Sequence, residues 1–200
     1  MTPTATISRP ELTLPEAEAE VLRAAYAGAD VILEYGSGGS TVMAGEMPGK
    51  RVFSVESDKD WALMMRGWFD ENAPAKGTEV DVIWSDIGPT KEWGYPTAAE
   101  QYMRYPRYPL EVWDLPEFRQ PDVVLVDGRF RTGCALATAL RTERPVQLFV
   151  DDYKRRKQYH GIEKFIGAPR MTGRMAGFEV EPLTLPQSEL LNVIEMMLRP

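Results

Sequence analysis

The chain has 200 residues, of which 44% are hydrophobic and 26% are charged, and its formal net charge is −7. This composition is typical of a globular protein with a full core, and it excludes collagen, a coiled coil and wholesale disorder. One Cys and one His exclude a disulfide framework, a Cys-based zinc site and an iron–sulfur cluster.

The acidic balance argues against general binding of nucleic acid through its phosphates. The first twenty residues lack the apolar core of a signal peptide, and no apolar stretch is long enough for a membrane helix. We therefore expect a cytoplasmic protein that has neither a nucleic-acid nor a membrane partner.

Five short apolar runs predict buried strands, each ending at an acidic or glycine-rich corner. They are VILEYG (31–36), RVFSVES (51–57), VDVIWSD (80–86), PDVVLVDG (121–128) and PVQLFVDD (145–152). The strands of a parallel sheet are covered on both faces, and they therefore read as nearly continuous apolar runs.

The segments between these runs predict helices at 15–27, 58–72, 131–143 and 153–166. This alternation predicts an α/β fold of the Rossmann-like, doubly wound type, with a mostly parallel sheet and right-handed crossovers. Two later strand-like runs, at 177–183 and 192–198, predict a C-terminal antiparallel hairpin. Since there is no internal repeat and no linker, we expect residues 1–200 to form one domain.

The segment 89–120 interrupts this rhythm with a cluster of aromatic residues and prolines. A connection of this length inside a compact domain is typical of a lid or a binding loop, and Trp93 and Tyr95 become candidates for contact with a substrate. Two alternatives stay open: a proline-braced surface excursion packed by its own rings, or the contact surface of a homodimer.

The first predicted strand ends in the glycine corner EYGSGGST, residues 34–41. In open α/β sheets, ligands bind at the carboxyl ends of the strands, and glycines let the backbone approach them closely. Glu56 follows Gly36 by 20 residues, the spacing at which a carboxylate reaches ribose hydroxyls in nucleotide-binding units. Thr41 occupies the position where the dinucleotide fingerprint requires Gly or Ala, which argues against NAD.

From about Leu14 to Asp152 the chain resembles the class I S-adenosylmethionine-dependent methyltransferases. Its strings EYGSGGST and LVDGRFR are also similar to a bacterial methyltransferase-like group of unassigned substrate. The resemblance implies S-adenosylmethionine as cofactor. It places Glu34, Gly36, Ser37, Gly38 and Ser40 at the methionine end, Glu56 and Ser57 at the ribose, Asp86 and Ile87 at the adenine, and Asp127 beside the cofactor's amino group. The alternative for Glu34 and Asp86 is a capping or turn carboxylate.

Three carboxylates at strand ends predict a metal site. Asp127 ends the fourth predicted strand, Asp151 and Asp152 end the fifth, and such oxygen ligands suit Mg²⁺ or Ca²⁺. The pattern is similar to that of metal-dependent catechol and caffeoyl-type O-methyltransferases, in which the metal activates a substrate hydroxyl. The chain departs from them in having Asp152 for their Asn and Phe130 for their Lys. Without a metal, the candidate general bases are Asp127, Asp151, Lys154 and His160.

Residues 153–174 carry seven basic side chains and one acidic side chain. This charge predicts a small anionic or hydroxyl-bearing acceptor, with Arg129 and Arg155 as binding residues, although a solvated helix face is the alternative. The predicted function is methyl transfer. Two other functions stay open: a non-catalytic methyltransferase-fold binding or regulatory protein, and a Rossmann-type nucleotide-dependent oxidoreductase or sugar-nucleotide enzyme.

Overall fold

The computed structural model describes residues 7–200. The first six residues, which open the segment judged above to lack a signal peptide, lie outside the described residues. Nine strands are present in this range: β1 (Val31–Tyr35), β2 (Arg51–Glu56), β3 (Glu79–Trp84), β4 (Thr90–Lys91), β5 (Tyr95–Pro96), β6 (Val123–Val126), β7 (Val146–Val150), β8 (Arg170–Thr172) and β9 (Met175–Val180). The α-helices are α1 (Glu16–Gly28), α2 (Gly39–Gly45), α3 (Lys59–Glu71), α4 (Arg107–Leu110), α5 (Arg131–Arg141), α6 (Glu163–Ile166) and α7 (Leu190–Met197).

Seven strands form the main sheet in the order β3-β2-β1-β6-β7-β9-β8. The first five run parallel, β9 is antiparallel to β7, and β8 is antiparallel to β9. The strand order reverses between β1 and β6, which is where open α/β sheets bind ligands. The predicted fold class is therefore confirmed.

Helices cover both faces of the sheet. Neighbouring residues of a strand point to opposite sides, so each strand contributes side chains to the core on either face. Ile32 of β1 packs beneath α1 with Leu22 and Tyr26, whereas Leu33 packs in the cluster that includes α5 and α7. The helix α3 adds Met65 to the α1 side of the sheet. No helix within residues 7–200 is long and apolar enough to cross a membrane.

The aromatic segment 89–120 divides into two parts with different surroundings. Its second part packs on the sheet: Tyr108 and Trp113 are buried, and the indole N–H of Trp113 donates to the Tyr35 hydroxyl at 2.7 Å. Its first part is a small hairpin, β4–β5, whose turn carries Trp93 with its side chain 80% exposed. The second part is therefore a crossover that belongs to the core.

One predicted strand is wrong in type. Residues 192–198 lie largely in α7, where Val193, Met196 and Met197 are buried at positions three and four apart. This spacing places all three on one helical face, which a strand would not do. The antiparallel hairpin exists, but β8 and β9 form it, and β9 overlaps the predicted strand at 177–183.

The helix predicted at 153–166 is also wrong. The chain turns at Asp152, which has a left-handed φ of 56°, and continues through further turns into a 3₁₀ helix at Lys157–Ile162 and the single turn of α6. Tyr153 is buried against Phe178, at 5.6 Å between ring centroids. Because this anchor holds the start of the segment in the core, the basic side chains do not form one solvated helix face.

Candidate active site

A cavity of about 760 Å³ lies at the carboxyl ends of β1, β2 and β6. Three turns that follow these strands line it, at 36–40, 56–58 and 127–129. The remaining wall comes from residues 11–14 before α1, from one side of α3, and from the β4–β5 turn at 92–94. This volume falls within the range of pockets that bury a small-molecule ligand.

The glycine turn at 36–40 is shaped by close contacts with two other segments. Gly36 has a φ of +106°, and a Cβ atom there would lie 2.6 Å from the backbone nitrogen of Gly128. A Cβ atom on Gly39 would overlap the backbone of Glu11 and Leu12. Glycine at these two positions therefore lets the ends of β1 and β6 touch and lets the N-terminal segment close one side of the cavity.

Glu34 lies behind this turn and does not line the cavity. Its carboxylate is fully buried and accepts hydrogen bonds from the Tyr26 hydroxyl at 2.6 Å, Thr41 Oγ1 at 2.5 Å and Ser54 Oγ at 3.3 Å. Burial raises the pKa of Glu34. Because Thr41 also accepts from the backbone N–H of Gly38 at 3.0 Å, Glu34 braces the turn from the interior.

Glu56 lines the cavity, with Ser57 beside it. Its Oε1 accepts from the backbone N–H groups of Ser57 at 2.6 Å and Asp58 at 2.8 Å, while Oε2 accepts only a longer bond from Ser37 N at 3.2 Å. Burial raises the pKa of Glu56. Since each carboxylate oxygen has about two acceptor positions, Oε2 keeps capacity for a ligand hydroxyl.

Asp86 and Ile87 do not reach the cavity. Asp86 accepts from Arg104 Nη1 at 2.8 Å and from the backbone N–H of Gly88 at 3.0 Å, and Ile87 is buried in the core. The β4–β5 turn lies against the β2 end instead, because Ser57 Oγ donates to the Gly94 carbonyl at 3.0 Å. The cavity beside Glu56 is thus lined by this hairpin and not by Asp86 or Ile87.

The three aspartates predicted to bind a metal face arginines. The ion pairs are Arg131–Asp127 at 3.3 Å, Arg156–Asp152 at 2.9 Å and Arg174–Asp151 at 2.6 Å. Arg174 binds both oxygens of Asp151, which is buried. Among residues 7–200, no group of three or more His, Cys, Asp and Glu side chains is placed to hold a metal ion. Because guanidinium groups pair with all three carboxylates, the residues present do not fit Mg²⁺.

Of the candidate general bases, Asp127 alone lines the cavity within the described part of the chain. Lys154 and Arg155 are exposed outside it, and His160 stacks on Tyr153 at 4.7 Å between ring centroids. Burial raises the pKa of Asp127 to about 7, with Arg131 opposing the shift and Asp151 adding to it. The structure does not bring Lys154, Arg155 or Asp151 to the cavity.

Trp93 and Arg129 line the cavity, and Tyr95 lies just outside it. The Arg129 guanidinium carbon is 5.9 Å from the centroid of the Tyr95 ring. Sequence reasoning missed Trp61 and Met64, which α3 presents to the cavity one turn apart. Both lie in α3 at helical spacing with other apolar residues, and this spacing alone does not separate residues of the cavity from core residues such as Met65.

We expect the unusual pKa of Asp127 to appear in the stability of the protein. Between about pH 4 and pH 7 the folded chain keeps a proton that the unfolded chain has lost, so the free energy of unfolding falls as pH rises through this window. Asp127→Asn removes that dependence. The difference in stability between variant and wild type should change by roughly 1–3 kcal/mol between pH 5 and pH 8 in denaturant titrations. Parallel pH profiles would contradict the assignment.

The sheet order, the antiparallel β9 and the cavity beside β1 define the class I methyltransferase fold. The chain is 59% identical to a methyltransferase-like protein from Silicibacter pomeroyi, over 96% of this chain and 99% of that one, with a TM-score of 0.94. It belongs to the same family of methyltransferase-like proteins.

More distant solved structures share the fold. The O-methyltransferase TomG from Streptomyces achromogenes, solved with S-adenosylmethionine, has a TM-score of 0.53 at 15% identity, over 84% of this chain and 82% of that one. A putative O-methyltransferase from Klebsiella pneumoniae has a TM-score of 0.53 at 14% identity, over 86% and 84%. No protein-family model matches the chain, and no curated protein does.

Proposed function

We propose that this protein is an S-adenosylmethionine-dependent methyltransferase that acts on a small-molecule acceptor. The observation that carries the proposal is the charge of the cavity at the switch point of the sheet. Six carboxyl groups and one cationic side chain line it, the carboxyl groups being Glu11, Glu56, Asp58, Asp60, Glu92 and Asp127. S-adenosylmethionine carries a sulfonium cation, whereas NAD and sugar nucleotides carry phosphates that this lining repels.

The residues of the cavity fit this cofactor. The glycine turn at 36–40 offers close backbone approach for its amino-acid end, and Glu56 Oε2 has acceptor capacity for ribose hydroxyls. When bound, S-adenosylmethionine supplies an electrophilic methyl group. Methyl transfer is an in-line displacement, so the contribution of the protein is to position the acceptor and to take up its proton.

We assign to Asp127 the role of the general base that takes up the proton of the acceptor. It lines the cavity, and its pKa of about 7 suits a base that works near neutral pH. Arg131 holds it in place, because its Nη2 donates to the Asp127 carbonyl at 2.8 Å and pairs with Asp127 Oδ1 at 3.3 Å. Trp61 and Trp93 give the same cavity an aromatic wall.

Glu56→Gln should weaken binding of S-adenosylhomocysteine by about ten- to one-hundredfold, the loss expected for one hydrogen bond to a charged group. The variant keeps one oxygen for the N–H groups of Ser57 and Asp58, so the turn should survive. Calorimetric titration measures the affinity, with NADH as a second ligand. Glu71→Gln, an exposed change at the end of α3, is the control. Equal affinity in wild type and Glu56→Gln would remove Glu56 from the site.

A non-catalytic binding role is the second candidate, and one observation favours it. Phe130 occupies the position at which the metal-dependent O-methyltransferases have a Lys, and its side chain is fully buried in the core. This role predicts that S-adenosylhomocysteine binds while no methyl group is transferred to any member of a broad acceptor panel. Transfer of label from S-adenosylmethionine to one acceptor, lost in Asp127→Asn, would support the enzyme.

A further inference from the structure

Three arginines pair with the three aspartates at the ends of β6 and β7, and a fourth arginine, Arg129, lies in the turn that follows Asp127. Arg131, Arg156 and Arg174 pair with these aspartates. Within residues 7–200, Arg129 pairs with none of them, and its Nε is buried with no hydrogen-bond partner. Because Arg129 lines the cavity, a ligand there can supply the acceptor that the described part of the protein does not.

The surroundings of Arg129 select the kind of ligand. Its guanidinium lies over the Tyr95 ring, a neutral contact that leaves its charge uncompensated, and burial together with Arg131 lowers its pKa. Asp127, the nearest carboxyl group in sequence, is already engaged by Arg131. The carboxyl groups that line the rest of the cavity come from other segments, so an anion meets attraction at Arg129 and repulsion elsewhere.

We propose that Arg129 is a carboxylate-binding site inside the cavity. A guanidinium presents paired N–H donors whose geometry matches the two oxygens of a carboxylate. The carboxylate has two possible sources, the amino-acid end of the cofactor and the methyl acceptor. The inference rests on the proposed function for the identity of these two ligands, but the unpaired Arg129 itself does not depend on it.

The test is calorimetry on the full chain with four ligands. S-adenosylhomocysteine has a carboxylate, and 5′-methylthioadenosine has the same nucleoside and sulfur without the amino-acid end. Benzoate and benzamide, titrated with and without saturating S-adenosylhomocysteine, differ in charge at similar shape. The proteins are wild type, Arg129→Gln, Arg129→Lys and the control Arg155→Gln, an exposed arginine outside the cavity.

Two outcomes support the proposal and identify the source of the carboxylate. If Arg129→Gln weakens S-adenosylhomocysteine by about tenfold or more and leaves 5′-methylthioadenosine unchanged, the cofactor supplies it. If Arg129 lay beside the ammonium group of S-adenosylhomocysteine, Arg129→Gln would remove a repulsion and strengthen binding. Weaker binding therefore indicates that Arg129 contacts the carboxylate. If S-adenosylhomocysteine is unchanged and benzoate, but not benzamide, loses its binding, the acceptor supplies it. Arg129→Lys should be intermediate, because it keeps the charge without the paired donors.

The proposal is overturned if neither carboxylate ligand distinguishes Arg129→Gln from wild type, or if Arg155→Gln has an equal effect. Failure of S-adenosylhomocysteine to bind wild type would instead contradict the proposed function. The benzoate titration of the ligand-free protein would then decide the role of Arg129 alone. Chemical denaturation of Arg129→Gln accompanies the titrations, and an unchanged free energy of unfolding is expected because the native side chain has no ion pair within residues 7–200 to lose.

Discussion

Gly36→Ala is expected to lower the free energy of unfolding by roughly 2–5 kcal/mol and to abolish measurable binding of S-adenosylhomocysteine. Two separate costs add at this position. The φ of +106° lies in a region that alanine rarely adopts, and the new methyl group would lie 2.6 Å from the backbone nitrogen of Gly128. The atoms that the methyl group would meet belong to the backbone, so the overlap can be removed only if the ends of β1 and β6 move apart.

Gly38→Ala is the matched control, two residues along the same turn. Its φ of 173° is extended backbone that any residue adopts, and a Cβ atom there meets nothing within 4 Å. We expect its free energy of unfolding to stay within about 0.5 kcal/mol of wild type. Urea titration of the two variants side by side tests the argument, and equal stability would show that the turn tolerates a side chain at either glycine.

The strands were predictable because the sheet is buried on both faces. Runs such as VVLV in β6 are apolar at every position, a pattern that only a doubly covered strand requires. The start of α3 was also legible, since Asp58 accepts from the backbone N–H of Trp61 at 2.9 Å as a helix N-cap does. These patterns lie within a few consecutive residues, so they can be recognised without knowledge of the fold.

The C-terminal third was harder because its signals conflict. The run 192–198 is apolar enough for a strand, and only the burial of Val193, Met196 and Met197 on one face shows the helical period. At the start of 153–166, Asp152 has a left-handed backbone conformation, so no regular helix begins there. Nothing in the residue type of an aspartate distinguishes that turn from an ordinary strand end.

The site was predictable where chain position alone decides placement. Glu56 and the glycine turn end strands at the switch point, so the topology brings them to the cavity. Asp86 also follows the end of a strand, yet it pairs with Arg104, a partner supplied by the long insertion. The sequence contains both residues but does not say that they meet, and residues 11–14 carry no local sign that they form a wall.

The arginines that pair with Asp127, Asp151 and Asp152 were not foreseen, for a related reason. Converging carboxylates attract either a metal ion or arginines, and the same stretch that holds Asp127 also holds Arg131. The guanidinium of Arg131 donates to the carbonyls of Asp127, Gly128 and Asp151, so it joins the ends of β6 and β7. Because a guanidinium has several N–H donors in one plane, the single side chain of Arg131 binds three carbonyl groups at once and joins the strand ends as a bound metal ion could.

Arg131→Met is therefore expected to lower the free energy of unfolding by about 3–5 kcal/mol, the cost of removing one partner from a buried ion pair. The substitution keeps much of the apolar volume but leaves three carbonyls without their donor. It also removes the group that opposes the rise in the pKa of Asp127, so that pKa should move further above about 7. Denaturant titration measures the first effect, and the pH dependence of stability measures the second.

Arg129→Met is the matched control, the same change two residues earlier in the same turn. Arg129 has no ion pair within residues 7–200 and its Nε has no acceptor, so its loss should change stability by less than about 1 kcal/mol. The two variants then separate two roles of neighbouring arginines: Arg131 holds the strand ends together, and Arg129 remains available to a ligand. Equal destabilisation by both changes would refute this division, because it would mean that Arg129 also supports the fold.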